Sequence, residues 1–425
     1  MKYKNYQRNL IIVLGLAALI LFIVVYFANL KAAEWQGVGK EFFSQWTNTR
    51  TFLTTGFSPY KQEALFQVEQ EAFLTGLTFN GNFSTNAEPL YSLLVFIPFV
   101  IIQSFEHAFA AWLLVNEALL VFTFWLLYRL SSWKGGRALF AFACLTVVGW
   151  KSMLAVLFSG SSSILILFAV IGVLYTLKHG MNELAGVLLA ISTIKIDILW
   201  LPILFVLVYC YVKQNKKTLL WFFVSILLVS VSLMLLDPAW IQDYLIAFLT
   251  QLLNYPHNLF KATSIAQLFN ESYFSFFSPA LGTIFLTFGV RLGNVFTMLI
   301  TGLMLFEWAS MKKRDDKGIL WLFCLTILVS TWIGVNPKTE LFVYFVPIVF
   351  LFISLLHDRW KGNGRFLYWI VPLILFALNW FAFASDSPIL ILMYGLYPFV
   401  IFSLLYWIRW WALSKNFLVY EWNLK

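Results

Sequence analysis

Long apolar runs broken by short polar segments fill almost the whole chain. They lie at about 10–30, 89–130, 138–157, 163–177, 184–212, 218–236, 276–310, 318–334, 341–357, 366–384 and 389–412. A helix needs about 20 apolar residues to cross a bilayer core. Some runs hold enough for two crossings, so the pattern predicts an all-α protein, a polytopic transmembrane bundle of about 11–13 spans. Leu10 to Leu30 carries no charge. It is longer than the ~7–15 residues of a signal-peptide core and no small-residue cleavage site follows, so it reads as a first span. Repeats, low-complexity tracts and Ser/Gly/Pro-rich linkers are absent from the sequence, which predicts one integral-membrane domain over residues 1–425.

Two segments break the pattern by their length and polarity. Residues 32–88 carry Glu34, Glu41, Arg50, Lys61, Glu63, Glu69, Glu71 and Glu88, and residues 237–275 carry Asp237, Asp243, His257, Lys261 and Glu271. Both are rich in aromatic residues, as helices lying at the headgroup level are. Lys2, Lys4 and Arg8 precede the first span, so the tendency of basic residues to stay inside puts the N-terminus in the cytoplasm. Residues 32–88 then form a first extracytoplasmic loop and residues 237–275 a second. The middle of the chain leaves two versions open. If 89–130 crosses twice, the basic SSWKGGR loop at 131–137 falls outside and 184–212 is one tilted helix. If it crosses once, the run includes a re-entrant or interfacial piece and 184–212 is two short helices.

Composition agrees with a polytopic membrane protein, and the cell membrane is the expected location. Hydrophobic residues make up 61% and charged residues 12% of the chain, against about 25% charged in soluble domains. The net charge of +9 is spread over short loops, a topology signal and not a nucleic-acid footprint. Cys144, Cys210 and Cys324 sit in or at the edge of apolar runs and read as packing residues. His107, His179, His257 and His357 are far apart and no metal-ligand spacing occurs, so neither a metal nor another cofactor is expected.

The chemistry gathers in GKEFFSQWTNTRTFLTTGFSPY, residues 39–60. As a helix it puts Glu41, Gln45, Asn48 and Thr49 on one face, with Phe42, Trp46 and Phe52-Leu53 roughly opposite. A helix so divided can turn its aromatic side to lipid or core and present one carboxylate to a cavity; Glu41 can equally be a solvated loop residue. Lys195 lies within an apolar run, where an ionisable residue marks a functional site by default. Snorkelling, or pairing with Asp197, is the alternative. Glu88, at the start of the next apolar run, can be a second carboxylate or a charge favoured by a helix dipole.

The order of these motifs resembles the bacterial polyprenol-phosphate-sugar-dependent glycosyltransferases of type C, a family that includes the mannosyltransferases of lipid-linked mannosides. Its Asp-Phe-x-x-Tyr-Trp-x-x-x-Arg pattern, followed by Gly-x-x-Pro-Tyr, is matched here by Trp46, Arg50, Gly56, Pro59 and Tyr60, with Glu41 in the place of the aspartate. NAEPLYSLLVFIPF at 86–99 is similar to the run opening the family's second span, with Glu88 in an aromatic position. Gly160, Gly186 and Lys195 match a Gly-Gln, small-Gly, Lys-x-x-Pro series in which Ser161 replaces the glutamine. VNPKTELFVYFVPIVF at 335–350 is similar to a late Ser-Pro segment.

The resemblance implies the GT-C fold and an inverting transfer of a hexose, mannose being the family's best-known donor sugar, from a polyprenyl-phosphate sugar to a lipid or glycan acceptor on the extracytoplasmic face. It implies Glu41 as general base, and Lys195, Lys261, Arg50 and His257 as candidate cations or donors for the leaving phosphate. Tyr60 and Glu88 would line the substrate site. The partners expected are that donor, a glycolipid or glycan acceptor, and membrane lipids. A polyprenyl-lipid flippase or another membrane transporter is the rival reading, because it would share a tail groove and phosphate-binding cations; a flippase does not need the carboxylate.

Overall fold

The computed structural model describes residues 2–79, 83, 88–254, 295–296, 298–333, 339–359, 366–382 and 388–412. Among the described residues there is no strand. Within those residues six helical stretches are long and apolar enough to cross a membrane, or seven if the bent pair Arg137–Val148 and Lys151–Ser159 counts as one span, and four shorter apolar helices accompany them. The chain is an all-α, multi-pass membrane protein. Its helices form two compact units. One comprises Met1–Leu120, Leu157–Ser162 and Leu233–Ala247; the other comprises Val121–Val156, Ser163–Ser232 and Phe248–Lys425.

The first unit is built on α1 (Lys2–Ala33), α2 (Lys40–Thr55), α3 (Gln62–Leu74), the short α4 (Ile97–Val100) and the first part of α5 (Phe105–Leu130). The aromatic side of α2 supplies its centre: Phe42, Phe43 and Trp46 are buried with Phe96, Phe99, Phe105, Phe109 and Trp112. Of the two fates open to that side, lipid or core, the structure shows core. The Trp46 indole N–H donates to the Phe99 carbonyl at 2.9 Å, which satisfies that buried donor. By contrast α1 exposes most of its candidate span, of which only 12% is buried. Left uncovered by the described residues, that surface suits lipid.

Run 89–130 holds one helix long and apolar enough to cross a membrane. A 3-10 segment, Leu90–Val95, and α4 precede the 26-residue α5.

The second unit continues from the end of α5 through α6 (Arg137–Val148), α7 (Lys151–Ser159), whose last turn belongs to the first unit, α8 (Ser163–Lys178), α9 (Asn182–Ser192), α10 (Ile196–Val212) and all but the end of α11 (Lys216–Met234). After α12 (Trp240–Asn254) come α13 (Met298–Ala309), α14 (Asp316–Ile333), α15 (Val346–Arg359), α16 (Leu367–Ala382) and α17 (Pro388–Ala412). Its most enclosed stretches are α14 and Glu340–Asp358, 83% and 94% buried. They form the heart of this unit.

Residues 182–212 fold back on themselves. A straight helix of that length would be about 46 Å long, yet the Asn215 side-chain amide donates to Asn182 Oδ1 at 2.8 Å. The reversal falls at the 3-10 turn Thr193–Lys195, where Lys195 has φ −106° and ψ 49°, outside helical values. Two short helices thus replace one tilted one. The glycine in α9 allows a tight approach to α11: a Cβ on Gly186 would lie 2.7 Å from the Phe222 nitrogen and from the Thr218 carbonyl oxygen.

Basic loops gather at one end of this unit. Lys178 lies 3.5 Å from Asp316, the Lys213 ammonium donates to the Lys312 carbonyl at 3.1 Å, and Lys317 meets Asp358 at 2.7 Å. The Ser354 hydroxyl donates to the Ser131 carbonyl at 2.9 Å, four residues before Asp358, so the SSWKGGR loop belongs to the same end. A single crossing of 89–130 removes the conflict that a double crossing would create. Beneath these loops Glu307 is buried between Arg314 and Arg409, an acid matched by two cations.

Candidate functional site

In the first unit the site-bearing helix is fixed at both ends. Gly39 precedes α2, its N–H donating to the Phe158 carbonyl at 2.6 Å, and Gly56 closes the helix with its N–H on the Phe52 carbonyl at 3.0 Å. Glu41 stands in the first turn, where exposed backbone N–H groups favour a carboxylate. It is half-buried. On the same side of the helix Asn48 and Thr49 are buried, and the Thr49 hydroxyl donates to the Gln45 carbonyl at 2.6 Å.

Beside Glu41 comes the turn carrying Gly160 and Ser161. Gly160 has φ 74°, a left-handed value that glycine adopts without cost. A Cβ there would lie 2.5 Å from Phe42 Cβ and 2.9 Å from the Phe109 ring. The Trp112 indole holds the turn by donating to the Gly160 carbonyl at 2.9 Å. Two stretches more than 100 residues apart in sequence, each matched to the family pattern, are therefore in direct contact.

Arg50 points elsewhere. Nine residues on from Glu41 it lies half a turn round the helix. Its guanidinium stacks 3.9 Å from the Trp46 ring centre, approaches Glu71 at 3.5 Å and donates to the carbonyls of Ile102 and Gln103. It ties α2 to α3 and to the loop before α5.

The polar segments 32–88 and 237–247 meet within the same unit. The Tyr60 hydroxyl donates to the Glu88 carbonyl at 2.9 Å, Tyr60 and Tyr244 have ring centres 6.0 Å apart, and Tyr91 and Trp240 6.3 Å. Lys61 lies 3.9 Å from Asp243. Burial, with Tyr244, Tyr91, Glu88 and Asp237 around it, pushes the Tyr60 phenol well above its ordinary value, so it stays a protonated donor. His257 and Lys261 lie outside the described residues.

Lys195, in the second unit, is 3% exposed at the apex of the α9–α10 reversal. Its ammonium lies 3.1 Å from Glu340 Oε2, which also accepts a 2.6 Å bond from the Ser163 hydroxyl. Glu340 was not singled out from sequence. The signal was there: a cation buried in apolar surroundings demands a carboxylate, and Glu340 immediately precedes the late apolar run 341–357. Among the described residues no three His, Cys, Asp or Glu side chains gather in a metal-binding group.

These features define a helical membrane protein with a carboxylate-bearing helix, α2, and a buried Lys195–Glu340 ion pair. The profile of glycosyltransferase family 87 matches residues 88–333, more than half of the chain, and the chain belongs to that family. It is a glycosyltransferase. The matched region starts at Glu88, after α2 and Glu41, and includes Gly160, Gly186 and Lys195. A comparison with curated proteins found no match.

Proposed function

We propose that this protein transfers a hexose, mannose in the reading we favour, from a polyprenyl-phosphate sugar to a glycolipid or glycan acceptor on the extracytoplasmic face of the cell membrane. The orientation follows from Lys2, Lys4 and Arg8 ahead of α1 and from the basic end of the second unit, both assigned to the cytoplasm. Glu41 is the general base. The acceptor hydroxyl attacks the anomeric carbon from the face opposite the phosphate, its proton passes to the Glu41 carboxylate, and the sugar–phosphate C–O bond breaks with its electron pair leaving on polyprenyl phosphate. The anomeric configuration inverts.

The observation that carries this reading is the seat of Glu41. Its helix start is pinned by the Gly39 bond to Phe158 and packed against Gly160, so the carboxylate stands on a rigid support, as a base aimed at a lipid-held substrate requires. Tyr60 and Glu88 are proposed substrate-side residues of the same unit. Lys195, His257 and Lys261 are proposed contacts of the leaving phosphate; Lys195 would exchange Glu340 for that anion. For Arg50 the stacking on Trp46 supports a holding role instead.

The test is transfer of labelled sugar from synthetic polyprenyl-phosphate mannose and glucose to membrane lipids, by wild type and Glu41→Gln. Loss of about 10²–10⁴-fold in the variant with an intact fold is the expected result. A variant as active as wild type sinks Glu41 as base, and movement of lipid across the bilayer without transfer would favour a flippase.

A further inference from the structure

Lys213, Lys216 and Lys217 line, with Asn182, Gln214 and Asn215, a pocket of about 520 Å³ at the basic end of the second unit. The turn that carries them is fixed by its own bonds. The Asn215 N–H donates to the Cys210 carbonyl at 2.8 Å, the Gln214 N–H to the Tyr211 carbonyl at 3.0 Å, and the Asn215 side chain caps α11 by accepting the Thr218 N–H at 3.3 Å. The lysine backbones are thus in place before anything binds.

The positive charge is incompletely matched. Lys217 has Glu183 at 3.8 Å. Lys213 donates to a backbone carbonyl, which leaves its charge whole and brings Lys312 and Lys313 near. Lys216 has no carboxylate partner among the described residues. The turn joins two apolar helices, α10 and α11, so it lies where a membrane's headgroups lie. Leu177 and Tyr209 form a wall shared with a slot of only about 30 Å³, which the Lys178–Asp316 ion pair lines together with Leu130, Leu174, Ile319 and Leu320. A cationic pocket at the joined ends of two apolar helices suits an amphiphile whose anionic head meets the lysines while its chains stay beside those helices.

We propose that this pocket binds the phosphate headgroup of an anionic membrane phospholipid, whose chains remain in the bilayer. This inference rests on the membrane-spanning fold and stands apart from the transfer reaction.

Native mass spectrometry of the full chain, released from micelles containing either phosphatidylglycerol or phosphatidylcholine as the added lipid, tests it. Wild type should retain phosphatidylglycerol and not phosphatidylcholine. Each lysine near an anionic surface is worth about a fivefold change in binding, so the triple variant Lys213→Ala, Lys216→Ala, Lys217→Ala should bind more than tenfold more weakly. All three side chains are exposed, so the core is untouched. The matching triple arginine variant should retain the lipid. Equal retention of both lipids, undiminished binding by the alanine variant, or loss in the arginine variant as well would overturn the proposal. So would displacement of the lipid by an equal concentration of inorganic phosphate, which would mark a free-anion site.

Discussion

Gly160 stands so close to Phe42 that a Cβ built on the glycine would lie 2.5 Å from that of the phenylalanine, one residue from Glu41. At this point the sequence motif around Gly160 becomes a support for the motif around Glu41. Any side chain there meets two obstacles, the φ of 74° and the body of Phe42.

Gly160→Ala should therefore cost about 2–4 kcal/mol, the left-handed penalty and the overpacking together, and should abolish transfer by moving the start of α2. Gly56→Ala is the control. Its φ is 73° but the space around it is open, so only the backbone penalty of about 1 kcal/mol applies. Thermal melts and transfer assays of both variants check this, and equal losses would deny that the Phe42 contact matters.

Lys195 and Glu340 should behave as a unit. Removing one partner leaves an uncompensated buried charge, at a cost of about 3–5 kcal/mol, whereas Lys195→Met with Glu340→Gln should cost less than the sum of the two. A double-mutant cycle of melting temperatures measures this coupling. Additive losses would show that the 3.1 Å contact carries no energy.

If Arg50 is a holding residue, Arg50→Lys should lower the melting temperature and leave the donor KM unchanged. Lysine cannot reproduce a planar stack on Trp46 while reaching two carbonyls and Glu71. A preserved melting temperature with a strongly raised donor KM would instead make Arg50 a phosphate contact.

The Tyr60 phenol gives a pH prediction. Its folded value lies above the ordinary 10.0 because burial disfavours the charged form. The stability this contributes is fully present below pH 10 and is lost as pH rises beyond that value toward the folded one. Ultraviolet titration of tyrosinate should show one tyrosine fewer resisting ionisation in folded Tyr60→Phe than in folded wild type. The substitution should also cost about 1 kcal/mol through the lost bond to the Glu88 carbonyl.

How much of this was legible in the sequence differs from element to element. The helical class and the membrane setting followed from the length of the apolar runs, since a polar backbone in lipid has few other solutions. The division of α2 into an aromatic and a polar side was legible because 3.6-residue periodicity fixes which side chains share a face. That the aromatic side enters the protein core was not, because lipid and core select the same residues. The single crossing of 89–130 and the reversal at Lys195 were two branches of one ambiguity, and tertiary contacts such as Asn182 to Asn215 decided both. The bond from Gly39 to Phe158 joins residues far apart in the chain, beyond the reach of any local pattern. Glu340 was missed because its significance depends on Lys195, 145 positions away.

The reversal at Lys195 also governs bookkeeping further along the chain. A segment that turns back ends on the membrane face it started from, so residues 182–212 leave the parity of crossings unchanged, although their hydropathy and length suggest one traverse. Reporter domains inserted after His179 and after Gln214 should light up in the same compartment. Reading the segment as a single pass would assign every loop downstream of α11 to the wrong face of the membrane.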